Sequence, residues 1–155
     1  MINSGSLQWL NNVAIVIEKA HKDFHSLLTA HLKAYHIQIA ADPTHAKYLL
    51  IIDNETIQRN ISGISSGTTA RQNQLIYTIS FKLQGFAGNE LIPSTNIVVL
   101  RQITLNSNRI LGSKDEEALE IDEMRRDAAI QLLNQLSRFS LDSKHSKHQQ
   151  PAEPR

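Results

Sequence analysis

The chain has 155 residues, 41% of them hydrophobic but only 5% aromatic, which fits one domain of ordinary size with a mostly aliphatic core. Sixteen basic residues against fifteen acidic ones leave a net charge of +1, so no global field draws the protein to nucleic acid or to an anionic membrane, and anion binding would need a local cluster. Cysteine is absent, which excludes disulfides, thiolate catalysis and cysteine-ligated zinc, and no apolar run reaches the roughly 18 residues of a helical membrane span.

Residues 1–8 form a polar lead with no basic n-region and no apolar h-region, which reads as a mature or trimmed start. Val13 to Ile17 is a short β-branched run, the form of a buried strand. The period then changes. Phe24, Leu27, Leu28, His31, Leu32 and Tyr35 fall on one helix face and predict a helix ending near His36. Asp42-Pro43 marks a turn, and Tyr48 to Ile52 predicts a second buried strand, continuing in more polar form to about Arg59.

Leu75 to Leu83 alternates cleanly: Leu75, Tyr77, Ile79, Phe81 and Leu83 predict a core face, and Ile76, Thr78, Ser80 and Lys82 a wet one. Gly85 to Pro93 reads as a turn region and Asn96 to Thr104 as a fourth strand. The inward face of that strand is ambiguous, because Arg101 shares a side with Ile97, Val99 and Ile103. Gly112 as a turn, Ser113 with Glu116 as a capping box, and Asp115 to Glu117 in a first turn predict the start of a long second helix. Ile121, Met124, Ala128, Leu132 and Leu136 supply its buried stripe. The tail 141–155 has no apolar period and is expected to be disordered.

This order, β-α-β-β-β-α, predicts an α+β two-layer sandwich. Its two helices pack on one face of a mixed four-stranded sheet, formed by one right-handed parallel crossover and then hairpins. The other sheet face is left half polar and uncovered. One domain is expected over 9–140.

Chemical motifs are few. Gly63-Ile64-Ser65-Ser66-Gly67 matches the pattern of a nucleophilic serine elbow, but an alternating strand follows it where that fold needs a helix, so a polar hairpin loop is the preferred reading. His21 and His25 stand four apart without the glutamate of a zinc-protease motif, and His145 and His148 lie in the tail. No cofactor and no metal is expected. The remaining signal is basic. Arg59 and Arg71 flank the 60–70 loop, Arg109 and Lys114 flank the turn before the second helix, and hairpin connections would gather all four at one tip beside a helix amino terminus. Charge pattern alone also allows four solvated surface charges.

The element order, together with "AKYLLIIDNETIQRNISG", "QLIYTISFKLQGFAGNELIPS" and "VLRQITLNSNRILGSKDEEALEIDEMRRDAAIQLLNQLSR", resembles the LptE family of lipopolysaccharide-assembly lipoproteins from about Trp9 to Arg138. The resemblance implies a non-enzymatic partner of the outer-membrane β-barrel LptD. Such a protein is attached to the outer membrane by an acylated amino-terminal cysteine, plugs the barrel lumen, assists its assembly and binds lipopolysaccharide. Arg71, Lys114, Arg59 and Arg109 are then the expected lipopolysaccharide-binding residues. Two departures stand out. The acylated cysteine is absent, its place expected to be taken by Met1, and the loop before the third strand reads Ser65-Ser66-Gly67 where the family carries a basic residue, with Arg71 the nearest substitute. Lys114 stands about one residue from the basic position expected ahead of the second helix. A generic ligand- or RNA-binding module is the competing class; near-neutral charge and the lack of paired aromatics on the outer strand face oppose nucleic acid as a partner.

Overall fold

The computed structural model describes residues 4–64, 70–106 and 110–149. Strand β1 (Val13–Ile17) is followed by helix α1 (Asp23–Ala34), strands β2 (Tyr48–Ile64), β3 (Ala70–Gly85) and β4 (Glu90–Asn106), and helix α2 (Ile110–Gln149). The strands form one sheet in the order β1-β2-β3-β4, with β1 parallel to β2 and the other pairs antiparallel. Both helices pack on the same face, so the fold is the α+β two-layer sandwich that the element order predicts.

Strands β2, β3 and β4 are longer than their apolar runs suggest. β2 continues past Arg59 to Ile64, and β4 starts at Glu90, so the turn between β3 and β4 is confined to Phe86–Asn89. Pro93, read as a turn residue, lies within β4, the edge strand, where a missing ladder donor is tolerated. A β-bulge falls at Asp53, between the paired residues Ile52 and Asn54. Side chains alternate with a period of two, so one inserted residue exchanges the faces of everything beyond it. Leu50 and Ile52 face the helices before the bulge; Glu55, Ile57 and Arg59 face them after it, opposite Ile79, Tyr77 and Leu75.

Helix α1 buries Phe24, Leu28 and Leu32. It stops because His36 takes the left-handed conformation, with φ of 63°. The amide of His36 then bonds to the Lys33 carbonyl at 3.0 Å and that of Ile37 to the Leu32 carbonyl at 2.9 Å, with buried Ile37 beside Leu32, a Schellman stop. A β-carbon is strained there. His36→Gly is therefore expected to raise stability by about 0.5–1 kcal/mol, visible as a higher urea midpoint.

Helix α2 begins at Ile110, ahead of the predicted cap. Gly112 and Ser113 lie inside the helix, so the capping box fails, and Asp115 to Glu117 are not in its first turn. The helix also runs on to Gln149, where disorder was expected beyond Leu141; no proline interrupts it before Pro151. Met124, Ala128, Ala129, Leu132, Leu133 and Leu136 are fully buried against the sheet. A short 3-10 helix, Ser4–Leu10, docks on α2 with Leu7 and Leu10 fully buried, so the core starts within the polar lead.

Candidate functional site

Three charged connections tie α2 to the sheet. Arg125 is the innermost. Its Nε donates to Glu55 at 3.0 Å and its guanidinium reaches Asp122 at 3.1 Å, while Glu55 also accepts the His21 amide at 2.8 Å and a short hydrogen bond from the Tyr77 hydroxyl. The Arg125 and Glu55 side chains are only 7% and 9% exposed. Burial raises the pKa of Glu55, but Tyr77, Arg125 and the His21 amide outweigh it and hold the carboxyl below its ordinary value. Burial and the same carboxylate push the Tyr77 phenol well above its usual range. His21 itself precedes α1, and its ring Nδ1 accepts the Asp23 amide at 3.1 Å, which gives it a turn-capping role off the helix.

Arg101 resolves the ambiguity of the fourth strand. Ile97 and Val99 are buried beneath α2, and Arg101 on the same side pairs with Glu120 at 3.4 Å and with Asp127, two turns apart on the helix. Arg59 pairs with Glu117 at 2.9 Å. The acidic cluster of α2 thus receives sheet arginines. Between β4 and α2 lies a shallow cleft of about 350 Å³ lined by Ile103, Thr104, Glu116, Leu119, Glu120 and Glu123, whose acidity disfavours an anion.

Of the four predicted basic residues, Arg71 sits one residue into β3, paired in register with Ile64 and Leu105. Asn106 ends β4 opposite Ala70, and α2 starts at Ile110, so the backbone brings Arg71 and the helix start to one end of the sheet. Lys114 follows in the second turn of α2. Arg59 lies opposite Leu75, about 13 Å back along the strands from Arg71, with Glu117 as its partner. Arg109 lies outside the described residues, as do Ser65, Ser66 and Gly67. What is described of the serine-elbow pattern is the end of β2, and the next element is the antiparallel strand β3, so the strand-to-helix geometry of an elbow is missing.

The opposite face of the sheet has a different chemistry. Cross-strand rows there read Asn54–Ser80–Asn96, Thr56–Thr78–Val98, Gln58–Ile76–Leu100 and Asn60–Gln74–Gln102, without a charge among them. Val98 and Leu100 are 50% and 54% exposed. Asp53, at the bulge, accepts hydrogen bonds from Ser80 at 2.6 Å and Ser94 at 3.0 Å; its burial pushes the pKa up, but these bonds and nearby Lys82 leave it lowered. Sequence reasoning missed that Glu55 and Arg59 face α2. The signal was present as the switch of apolar parity between Leu50, Ile52 and Ile57.

These features define a two-layer α+β module in which ion pairs tie α2 to one face of the sheet and four uncharged cross-strand rows lie on the other. The fold is shared with several solved lipoproteins. Lipoprotein B from Nitrosomonas europaea superposes with a TM-score of 0.72 at 19% identity, covering 90% of this chain and 88% of its own. The rare lipoprotein B from Shewanella oneidensis gives 0.70 at 18%, covering 85% and 99%. A minor lipoprotein from Acinetobacter baumannii gives 0.69 at 18%, covering 83% and 91%. No curated protein sequence matches the chain significantly. Residues 10–136 match the family described as LptE: Lipopolysaccharide-assembly. The chain belongs to the LptE family, a family of non-enzymatic lipoproteins that act in lipopolysaccharide assembly at the outer membrane.

Proposed function

We propose that this protein plugs and helps to assemble the LptD β-barrel and binds lipopolysaccharide during its insertion into the outer leaflet, held at the outer membrane by an amino-terminal lipid anchor. The observation that carries the reading is the family match, which spans every element of the sheet and the buried part of α2. The physical form suits the role. A rigid sheet with a polar outer face can stand in the polar interior of a barrel, where an apolar surface would be excluded.

Lipopolysaccharide carries phosphates on its lipid A and core. Arg71 and Lys114 are assigned to those phosphates, with Arg109 between them in sequence and Arg59 behind them on β2. The shared end of β2, β3 and α2 supports the assignment, because the helix start adds its own partial positive charge. Each charged hydrogen bond contributes about 1.5–3 kcal/mol. The double variant Arg71→Asp, Lys114→Asp is expected to weaken lipopolysaccharide binding by about tenfold or more in a titration of the purified protein, with an unchanged circular dichroism spectrum. Unchanged binding by a folded double variant removes the basic-tip site.

A further inference from the structure

We propose that Glu117 competes with a lipopolysaccharide phosphate for Arg59, so that this carboxylate sets how tightly the basic tip binds. The inference rests on the basic-tip reading above and adds the residue that restrains it.

The arginines between the sheet and α2 are not held alike. Arg125 is buried and bonds to two carboxylates, Glu55 at 3.0 Å and Asp122 at 3.1 Å. Arg101 also has two, Glu120 and Asp127. Arg59 is 49% exposed, and among the described residues its one carboxylate partner is Glu117, which its Nε reaches at 2.9 Å. A guanidinium carries five N–H donors, and this contact uses only the one on Nε. Of the three, Arg59 is the arginine that a second anion can take.

Its position suits that exchange. Arg59 and Arg101 share one cross-strand row through Leu75, but their partners lie at different depths along α2. Arg101 reaches Glu120 and Asp127, whereas Arg59 reaches Glu117, the partner nearest the helix start. Glu117 follows Lys114 by three residues, a rise of about 4.5 Å. The restrained guanidinium is thus held one helical turn behind a residue assigned to the lipid phosphates.

The exchange is a contest between unequal anions. An ion pair this exposed is weak, because water solvates both partners. A phosphate offers several oxygens and engages the guanidinium as a fork, which makes stronger bonds than one carboxylate oxygen does. Exchange still has a cost. It leaves Glu117 without its cation and beside a second negative group, and that cost lowers the affinity of the parent protein. Glu117→Gln removes it and leaves Arg59 free to turn to the phosphate.

The test uses the purified full chain as the parent, Glu117→Gln, Arg59→Gln and the double variant. Each is titrated with lipopolysaccharide at about 0.15 M salt, where exposed charges more than about 8 Å apart are largely screened. Glu117→Gln is expected to bind about three- to tenfold more tightly, and the gain is expected to vanish in the Arg59→Gln background. It is also expected to vanish when the titrant is lipopolysaccharide stripped of its phosphates. Because the pair is solvent-exposed, all four proteins are expected to keep the parent's circular dichroism spectrum. Unchanged affinity in Glu117→Gln, with binding still weakened by Arg71→Asp, Lys114→Asp, reduces the pair to a surface clamp between β2 and α2. The proposal then falls while the basic tip stands. A gain of equal size in the Arg59→Gln background, or with the dephosphorylated lipid, makes Glu117 a general repulsive charge and overturns the proposal too. If Arg71→Asp, Lys114→Asp binds as the parent does, the basic-tip reading itself fails and takes the inference with it.

Discussion

Replacing Arg125 with methionine is expected to cost about 3–5 kcal/mol of folding stability. The size follows from what is left behind. Glu55 keeps its place between Ile79 on β3 and the underside of α2, only 9% exposed, with the Tyr77 hydroxyl and the His21 amide as its remaining partners. Two neutral donors do not replace a guanidinium. The chemical denaturation midpoint reads the loss directly, and a variant within about 1 kcal/mol of the parent would show the network to be incidental.

The same network predicts the sign of an acid dependence. The folded pKa of Glu55 lies below the ordinary value of 4.5, so its contribution is complete above about pH 4.5 and is lost as the pH falls through the lowered folded value. In Arg125→Met the guanidinium no longer holds the pKa down while burial still raises it, so the acid-induced loss moves to higher pH. Urea midpoints measured as a pH series in both proteins separate the two curves. Coincident curves would mean that the guanidinium does not set the ionisation of Glu55.

Leu132→Ala is expected to cost about 2–5 kcal/mol, because Leu132 is fully buried between α2 and the sheet and the cavity cannot fully collapse. Leu119→Ala, on the same helix but 63% exposed, should change stability by no more than about 0.5 kcal/mol. Together the pair tests which stripe of α2 is docked. Equal effects would contradict the packing.

The architecture was legible because apolar period carries it. Val13–Ile17 and the alternation from Leu75 to Leu83 state their own structure, and the short links between β2, β3 and β4 leave few topologies. Element ends were not legible, for physical reasons. Pro93 is a turn signal that an edge strand can absorb, and Ser113 looks like a cap although the chain is already helical from Ile110. The bulge at Asp53 mattered most. A continuous alternation past Ile52 would have placed Glu55 and Arg59 in solvent, and the inserted residue places them under α2.

The candidate site was legible in part. Arg71 and the start of α2 do share one end of the sheet, as hairpin connectivity demands. Glu117 reads from sequence as first-turn helix charge, yet it holds Arg59, and Glu120 one turn further on holds Arg101. No rule of local spacing could link residues so far apart in sequence, because their meeting depends on the packing of α2 across the whole sheet.

The most direct test of the central claim is recovery of the barrel itself. The tagged, acylated chain is expressed in Gram-negative cells, outer membranes are extracted in mild detergent, and the co-purifying protein is identified. The account predicts a large β-barrel in equal molar amount with this protein. Recovery of folded, acylated protein with no barrel attached would contradict it.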